Sequence, residues 1–207
     1  MLLLKGNLFT KLMGIQSFKE YDNEEFKNLV VIKTVIEEAE FYKCKFINVK
    51  FEKCKLISCF FEECEFIDSD ISLTQFTDSR FSKCRFQSTK LMGIDWSLTR
   101  KGFPIDLVCK ECDLSYSIFI GVVLSDSRFE ECKLTDCDFS NAILKSTVFK
   151  ECDLLKSIFT GCDMREADLR NSTGYYFDLS KNRVKGLKLS IPEGTELLKV
   201  FGVKIGD

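Results

Sequence analysis

The segment FYKCKFINVKFEKCKLISCFFEECEF, residues 41–66, places a large apolar side chain at every fifth position. An amphipathic helix would repeat its apolar face about every 3.6 residues, and a half-buried strand would repeat it at every second residue. The five-residue frame extends in both directions, from Tyr21 to Trp96, over 16 consecutive positions that are all apolar. Because apolar residues make up 45% of the chain, such a run has a chance probability on the order of 10⁻⁶. The frame therefore predicts a structural repeat.

The frame breaks once and resumes in a second phase. It restarts at Leu114, 18 residues after Trp96, and continues every fifth residue to Leu169. A second column of mostly small residues lies two positions before each large one, and ten of the 11 cysteines occupy it, all except Cys109. Each pentad thus offers one small and one large residue to an interior, and three mostly polar residues to solvent.

The second phase indicates how many sides each coil has. From Leu114 to Phe159 leucine and phenylalanine alternate, so equivalent residues recur every ten positions. They stack on one another only if each coil contains an even number of pentads, and four pentads give a coil of 20 residues. Successive coils would lie about 4.8 Å apart, the spacing of hydrogen-bonded strands. The pattern predicts an all-β solenoid with four sides, whose coils bury their inward residues against one another.

The segment CDLLKSIFTGCDMREADLRNS, residues 152–172, resembles the consensus of the pentapeptide-repeat family, A-(D/N)-L-x-x. The resemblance covers most of the chain and implies a right-handed quadrilateral β-helix. We expect residues 21–189 to form this β-helix, interrupted by a loop at residues 97–108. Residues 1–20 are expected to form an N-terminal cap or a disordered segment, and residues 190–207 to contain a short C-terminal helix.

Composition limits the possible functions. The chain has no histidine, no glycine-rich nucleotide-binding motif and no apolar run of the roughly 20 residues that cross a membrane. The lack of histidine excludes Ser-His-Asp and Cys-His catalysis and histidine-based metal sites. We therefore predict a non-enzymatic protein with no catalytic residues, no cofactor and no metal, which binds through its surface. The start of the chain is unlike a signal peptide, so we expect a cytoplasmic protein whose cysteines are buried thiols.

The break between the two phases is the first candidate binding segment. It contains one of the two prolines of the chain together with two cations and an aromatic residue. Loops on rigid scaffolds often carry binding residues; the alternative is an insertion that is merely tolerated at a corner of the coil. The predicted contact residues are Thr99, Arg100, Lys101, Gly102, Phe103 and Pro104.

The C-terminal segment LSIPEGTELLKVFGVKIGD, residues 189–207, is the second candidate. Pro192 suits a first helical turn and Gly202 suits a helix end, so these residues bound a short helix. Its apolar side chains either cover the last coil or pair two copies of the chain, and one segment can do both. The predicted pairing residues are Leu197, Leu198, Phe201 and Val203, and Ile205 follows them.

The charges are unevenly distributed although the net charge is only −2. Residues 61–79 contain six acids and no base, and residues 111–140 contain seven acids and two bases. These runs predict an acidic surface; an ordinary solvated surface is the alternative, and no basic stripe for nucleic acid is present. The predicted acidic-face residues are Glu62, Glu63, Glu65, Asp68, Asp70, Asp126, Glu130 and Glu131.

A rod of this length that is broken once and ends in ELLKVFGVKIG, residues 196–206, is similar to the quinolone-resistance (Qnr-type) branch of the family. The resemblance implies a homodimer that mimics DNA, binds DNA gyrase and topoisomerase IV and protects them from quinolones. It implies no direct binding of nucleic acid or membrane. In that pattern the helix pairs the subunits, the loop touches the enzyme and the acidic sides face its DNA-binding surface. The alternative is a general protein-interaction scaffold without topoisomerase activity.

Overall fold

A computed structural model describes residues 14–204, so most of the predicted N-terminal segment, and Ile205, lie outside the described residues. The described chain forms 16 short β-strands, one α-helix and three 3₁₀ segments. The strands are β1 Glu20–Asp22, β2 Glu25–Lys27, β3 Val30–Ile32, β4 Val35–Glu37, β5 Glu40–Tyr42, β6 Lys45–Ile47, β7 Lys50–Glu52, β8 Lys55–Ile57, β9 Phe60–Glu62, β10 Glu65–Ile67, β11 Gln75–Thr77, β12 Arg80–Ser82, β13 Cys84–Gln87, β14 Leu107–Lys110, β15 Arg128–Glu130 and β16 Val148–Lys150. The helix α1 is Glu193–Glu196, and the 3₁₀ segments are Trp96–Leu98, Leu179–Lys181 and Leu197–Phe201.

The strands form the four sides of a β-helix, so the predicted fold is confirmed. We name the sides faces A to D in chain order. Face A contains β1, β5, β9 and β12, face B contains β2, β6, β10 and β13–β16, face C contains β3 and β7, and face D contains β4, β8 and β11. Parallel partners lie 20 positions apart, as in the pairs Tyr21–Phe41 and Phe46–Phe66. Isolated bridges continue the same ladders toward the C terminus.

The large inward residues stack in columns inside the rod. On face B the rings of Phe26, Phe46, Phe66 and Phe86 lie nearly parallel, with successive centroids 5.0, 4.4 and 4.8 Å apart. All but Phe26 are fully buried, and burial of a phenylalanine side chain contributes about 1.5–3 kcal/mol. Because rings of one type stack at the spacing of the strands, one face favours one large residue over several coils.

The small inward column supplies hydrogen-bond donors as well as small volume. Cys64 Sγ donates to the carbonyl oxygen of Phe41 at 3.3 Å, and Ser79 Oγ donates to that of Leu56 at 3.0 Å, in both cases 23 positions earlier. All 11 cysteines are free and buried. Burial raises the pKa of the Cys84 thiol to about 12, so this thiol stays protonated and able to donate at neutral pH. The column therefore accepts Cys, Ser and Thr in place of the alanine of the consensus.

Each pentad turns a corner through a residue with left-handed backbone. Fifteen consecutive corners, from Phe18 to Ser88, are non-glycine residues with φ between 48° and 58°. For residues other than Gly, Asn and Asp this conformation costs roughly 1–2 kcal/mol. Hydrogen bonds between coils hold the corners, as when Lys43 N donates to Glu62 O at 2.8 Å.

The coil at the break has 23 residues instead of 20. Phe86 pairs with Cys109, and Lys90 forms a bridge with Asp113. The predicted loop is shorter than 97–108 at both ends, because Trp96–Leu98 forms a 3₁₀ segment of face D and β14 already begins at Leu107.

Two residues of β14 exchange the usual order of sizes. Cys109 stands in the large column, between Phe86 and Phe129, and Leu107 stands in the small column beside Cys84. Leu107 supplies volume that the small thiol of Cys109 does not, so the pair replaces the usual Cys–Phe pair. A frame based on residue size alone therefore restarts one pentad late, at Leu114.

The size exchange predicts a compensating pair of substitutions. Cys109→Phe is expected to destabilise the protein by about 1–3 kcal/mol, because it adds a ring to a coil that Leu107 already fills. Adding Leu107→Cys should recover most of this loss, since the two residues occupy successive inward positions of β14 and the effects of such neighbours are not additive. Urea denaturation followed by fluorescence of the single tryptophan, Trp96, measures both. A double variant less stable than Cys109→Phe alone would contradict the exchange.

Candidate functional site

Two open depressions on the outside of the rod offer no catalytic arrangement. One, of about 300 Å³, lies on face B beside Arg85, Val108 and Cys109, and the other, of about 380 Å³, lies on face A beside Glu20 and Tyr42. Burial raises the pKa of the Cys109 thiol, which is the opposite of the activation that a nucleophilic cysteine requires. Residues 14–204 contain no group of three or more His, Cys, Asp or Glu side chains able to hold a metal ion.

The most distinctive surface feature is a four-residue insertion, Lys101–Pro104, on face A, shortly after its edge with face D. Arg100 still follows the repeat, because its N–H donates to Ser79 O at 3.0 Å as in the regular coils. Ile105 is buried and takes the next inward position of face A. In a regular coil that position directly follows the one that Arg100 occupies, so Lys101–Pro104 is additional. Ile105 and Leu107 are then two positions apart where a regular coil has three, so the coil is longer by three residues in all. We call these four residues the insertion.

Thr99 was predicted as a contact residue, but the structure places it in the interior. Its side chain is buried in the small column, and its Oγ1 donates to Trp96 O at 2.6 Å. The prediction for Thr99 is wrong because the break begins at Lys101, four positions later than the sequence indicated. The other five predicted loop residues, Arg100–Pro104, are exposed.

An aromatic–guanidinium stack holds the insertion against face A. The guanidinium carbon of Arg80 lies 4.3 Å from the ring centroid of Phe60 and 5.1 Å from that of Phe103. Arg100, the residue before the insertion, forms an ion pair with Asp78, with Nε 3.4 Å from Oδ1. Cation–π contacts at exposed sites contribute about 0.5–1 kcal/mol each. Phe103 therefore keeps about half of its side chain exposed while the stack restricts its orientation.

Sequence reasoning missed Phe60 and Arg80, although a signal for them was present. Arg80 follows Phe60 by 20 positions, the length of a regular coil, and pairs with it on face A. Counting by coil length rather than along the chain would have placed Phe60, Arg80 and Arg100 in one column, directly before the insertion that carries Phe103.

The predicted acidic residues do not form a single acidic face. Because residues of neighbouring coils are 20 positions apart, bases from the coils before and after lie beside the acids. Glu65 Oε2 lies 3.1 Å from Lys45 Nζ, and Glu63 Oε1 lies 3.5 Å from Lys83 Nζ. By position in the repeat, the acids lie as follows: Glu62 on face A, Glu63 and Asp126 at the edge between A and B, Glu65 and Glu130 on face B, Asp68 and Glu131 at the edge between B and C, and Asp70 on face C.

Face C shows this compensation along most of its length. Bridges join residues of alternating charge from coil to coil, so each carboxylate there has a lysine in a neighbouring coil. A negative run in the sequence thus becomes a neutral ladder in the fold. The ladder consists of Lys50, Asp70, Lys90, Asp113, Lys133 and Asp153.

One edge does accumulate acid. Asp68, Glu111, Glu131 and Glu151 occupy a single corner column between faces B and C, with one serine between the first two, and have φ between 50° and 55°. Lys110 Nζ lies 3.6 Å from Glu111 Oε1 and 3.9 Å from Glu131 Oε1. We call these four acids the acidic edge. Glu151 lies outside both acidic runs of the sequence, so counting along the chain did not find this alignment.

The C-terminal segment presents only part of the predicted pairing surface. Leu197 is fully buried in the core of its own chain, so the structure corrects its assignment to a subunit interface. Leu198, Phe201 and Val203 are exposed. The 3₁₀ segment carries Leu198 and Phe201 and ends at Gly202, with φ 73°, and Val203 follows it. The sequence pattern identified the apolar residues of the segment, but it did not show which of them pack on the rod and which face outward.

The fold defines a β-helical repeat protein with four faces and the edges between them. A family model described as a pentapeptide repeat region matches residues 34–100. A second, described as pentapeptide repeats (8 copies), matches residues 108–145 and 132–171. The chain belongs to the pentapeptide-repeat family.

Solved structures with the same fold have diverse roles. Full-length QnrB1, a plasmid-mediated fluoroquinolone resistance protein, is 17% identical with a TM-score of 0.52, over 89% of this chain and 100% of QnrB1. HetL, a pentapeptide repeat protein involved in heterocyst differentiation regulation in the cyanobacterium Nostoc, is 15% identical with a TM-score of 0.52, over 87% of this chain and 90% of HetL. No curated protein sequence matches the chain. Within residues 14–204, no helix has the length and hydropathy that crossing a membrane requires.

Proposed function

We propose that this chain is a non-enzymatic, cytoplasmic binding protein that contacts DNA gyrase or topoisomerase IV and protects the enzyme from quinolones. The insertion carries this proposal, because it interrupts an otherwise regular rod and presents Phe103 on a rigid support. An aromatic side chain that is already oriented loses little conformational entropy on binding. The fold shared with a fluoroquinolone resistance protein supports the choice of partner.

The acidic edge supplies the electrostatic part of the proposal. A column of carboxylates along a rigid rod attracts the positive path that a topoisomerase offers to DNA phosphates, and this attraction weakens as salt is added. Lys110 lies close to two of the four acids. Other acids predicted from the sequence, such as Glu63, Glu65 and Asp70, lie beside bases of neighbouring coils. We therefore propose that mimicry of DNA is confined to the acidic edge.

A supercoiling assay tests the proposed function. Purified gyrase is incubated with relaxed plasmid and inhibitory ciprofloxacin, with and without the purified protein. We expect the protein to restore supercoiling in the presence of drug. A parallel reaction without drug controls for direct stimulation of the enzyme. Failure to restore supercoiling, together with failure to bind gyrase or topoisomerase IV at low salt, would refute the proposal.

A general interaction scaffold is the second candidate function. It is favoured by the paired charges on faces A, B and C, which give no extended negative surface, and the fold is equally similar to that of HetL. This candidate predicts that the protein leaves the drug-inhibited reaction unchanged. The same supercoiling assay therefore separates the two functions.

We also propose that Leu198, Phe201 and Val203 pair two copies of the chain. The three side chains are apolar and exposed, and a two-fold axis would place the same patch of each subunit in contact. Leu197 covers the last coil beneath them, so the segment both caps the rod and offers a pairing surface.

Replacing Leu198 and Phe201 by aspartate is expected to convert the dimer to a monomer with the β-rod intact, since each coil contacts only its neighbours. Sedimentation velocity at micromolar concentration measures the change, and circular dichroism checks the rod. Phe103→Asp is the matched control, because it introduces the same charge at another exposed phenylalanine and should leave the dimer unchanged. A wild-type protein that sediments as a monomer would rule out the pairing.

A further inference from the structure

Face D carries exposed apolar side chains beside the insertion. Leu98, Ile118, Ile120 and Ile158 are 36–49% exposed there. The column is regular, since bridges join Asp95 to Ile118, Ile118 to Asp138, and Asp138 to Ile158. We define the face D strip as Asp95, Leu98, Ile118, Ile120, Asp138 and Ile158.

The aspartates of the strip differ from those at the same repeat position on other faces. On face B, Asp168 lies 2.7 Å from an arginine, and on face C, Asp113 stands between two lysines. Asp138 stands instead between Ile118 and Ile158. Within residues 14–204, neither aspartate of the strip takes part in an ion pair. In the same part of the chain Asp113 also forms no ion pair, and farther along face D Asp178 Oδ2 lies 4.0 Å from Lys181 Nζ. What distinguishes Asp138 is therefore its register, which places isoleucines in the coils before and after it where Asp113 has lysines.

The local turn does not account for this difference. Asp138 Oδ1 accepts a hydrogen bond from Ser140 N at 2.8 Å, and Asp113 Oδ1 accepts one from Ser115 N at 3.0 Å. The turn explains why an aspartate occupies both positions, since its side chain satisfies a backbone N–H. It does not explain why isoleucines surround one aspartate and lysines the other.

The strip and the insertion lie on adjoining faces of the rod, D and A, which share an edge. Trp96 N donates to Ile118 O at 2.8 Å, so Ile118 and Ile120 lie one coil beyond the segment from which the insertion begins. Gly121 occupies the corner between faces D and A in this coil and has no side chain. Apart from its chain neighbours, no described residue has an atom within 4 Å of where its Cβ would be, so the edge is open there. The acidic edge, between faces B and C, lies on the opposite side. A partner that contacts Phe103 from face D therefore meets the strip and not the acidic edge.

The chemistry of the strip determines which partner fits it. Apolar side chains beside carboxylates that lack a basic neighbour complement a protein surface that offers Lys or Arg next to apolar groups. A second copy of the chain fits poorly, because a two-fold axis through the column would bring Asp138 toward its own equivalent. An anionic membrane surface would repel the same carboxylates.

We propose that the face D strip is the docking surface for a basic, partly apolar region of the topoisomerase, continuous with the contact made by the insertion. This inference rests on the proposed function and adds which side of the rod faces the enzyme. The acidic edge then points away from this contact, toward a second region of the same enzyme.

Two matched double variants test the strip. Ile158→Thr/Asp138→Asn changes face D, and Leu155→Thr/Asp113→Asn changes face C. Ile158 and Leu155 are 49% and 51% exposed, and the two aspartates make the same turn. Binding of purified gyrase is measured by biolayer interferometry at physiological salt. We expect Kd to rise about tenfold for the face D variant and less than about twofold for the face C variant. Thermal midpoints check that both variants fold.

Each outcome is decisive. A wild-type protein that does not bind gyrase overturns both the proposed function and the strip. Wild-type binding with equal effects of the two double variants overturns the strip alone, as does a larger effect on face C. If the face D double variant does not fold, Ile120→Thr replaces it, with an expected loss of affinity of about threefold. Unchanged binding by that variant would also overturn the strip.

Discussion

Truncating Phe66 to alanine is expected to lower the free energy of unfolding by about 3–5 kcal/mol. Phe66 is fully buried on face B, and its ring stacks on Phe46 at 4.4 Å and on Phe86 at 4.8 Å. The substitution therefore removes contacts to two coils and leaves a cavity that rigid neighbouring strands cannot close. Urea denaturation, followed by circular dichroism and by Trp96 fluorescence, measures the loss.

Two further phenylalanines provide controls for this prediction. Phe103→Ala removes a half-exposed ring and its contact with Arg80, and should lower stability by no more than about 1 kcal/mol. Phe26→Ala should fall between the two, because Phe26 is only partly buried and stacks on one ring of its column, that of Phe46. An effect at Phe66 no larger than that at Phe103 would contradict the stacked core.

Deleting Lys101–Pro104 is expected to abolish protection of gyrase from ciprofloxacin while the rod stays folded. Arg100 and Ile105 already occupy successive positions of the repeat, so the deletion joins two residues that are adjacent in regular coils. Thr99 must be kept, because its buried side chain bonds to Trp96 O. The readout is the protein concentration that restores half of the supercoiling at a fixed drug concentration.

A point substitution controls for the altered chain length. Phe103→Ala keeps all residues of the insertion and removes the ring that Arg80 holds, so it should weaken protection substantially. Binding through the acidic edge should persist in both variants and fall as salt is added. Full protection by the deletion variant would show that the insertion is only a tolerated irregularity.

The fold was predictable from the sequence because the repeat is a repeat of residue size. Phe41, Phe46 and Phe51 stand at the large inward positions, which favour large apolar residues, and small residues fill the second inward column. The break was harder to define, because Leu107 occupies a small inward position there and Cys109 a large one. A pattern based on residue size therefore does not detect this pentad. Thr99 was misassigned for a related reason, since a small polar residue suits both an exposed loop and the small inward column.

The binding surfaces were less predictable, because a coil brings together residues that are distant in the chain. Glu62, Glu63 and Glu65 are neighbours in the sequence, yet each pentad turns a corner and distributes them over two faces and an edge. Their spatial neighbours include Lys45 and Lys83, 20 positions away. The exposure of an amphipathic segment such as Leu197–Phe201 depends on which side packs on the rod, and a helical pattern alone does not contain that information.

The left-handed corners have an evolutionary consequence. Corners such as Lys33, Glu38 and Leu73 hold side chains that tolerate positive φ poorly, so the rod gives up some stability to keep chemically varied edges. The stacked interior supplies enough stability to allow this, and a corner side chain contacts little of that interior. New specificities can therefore arise by single substitutions along an edge, without a compensating change in the core, and relatives with the same coil can diverge in their partners long before they diverge in fold.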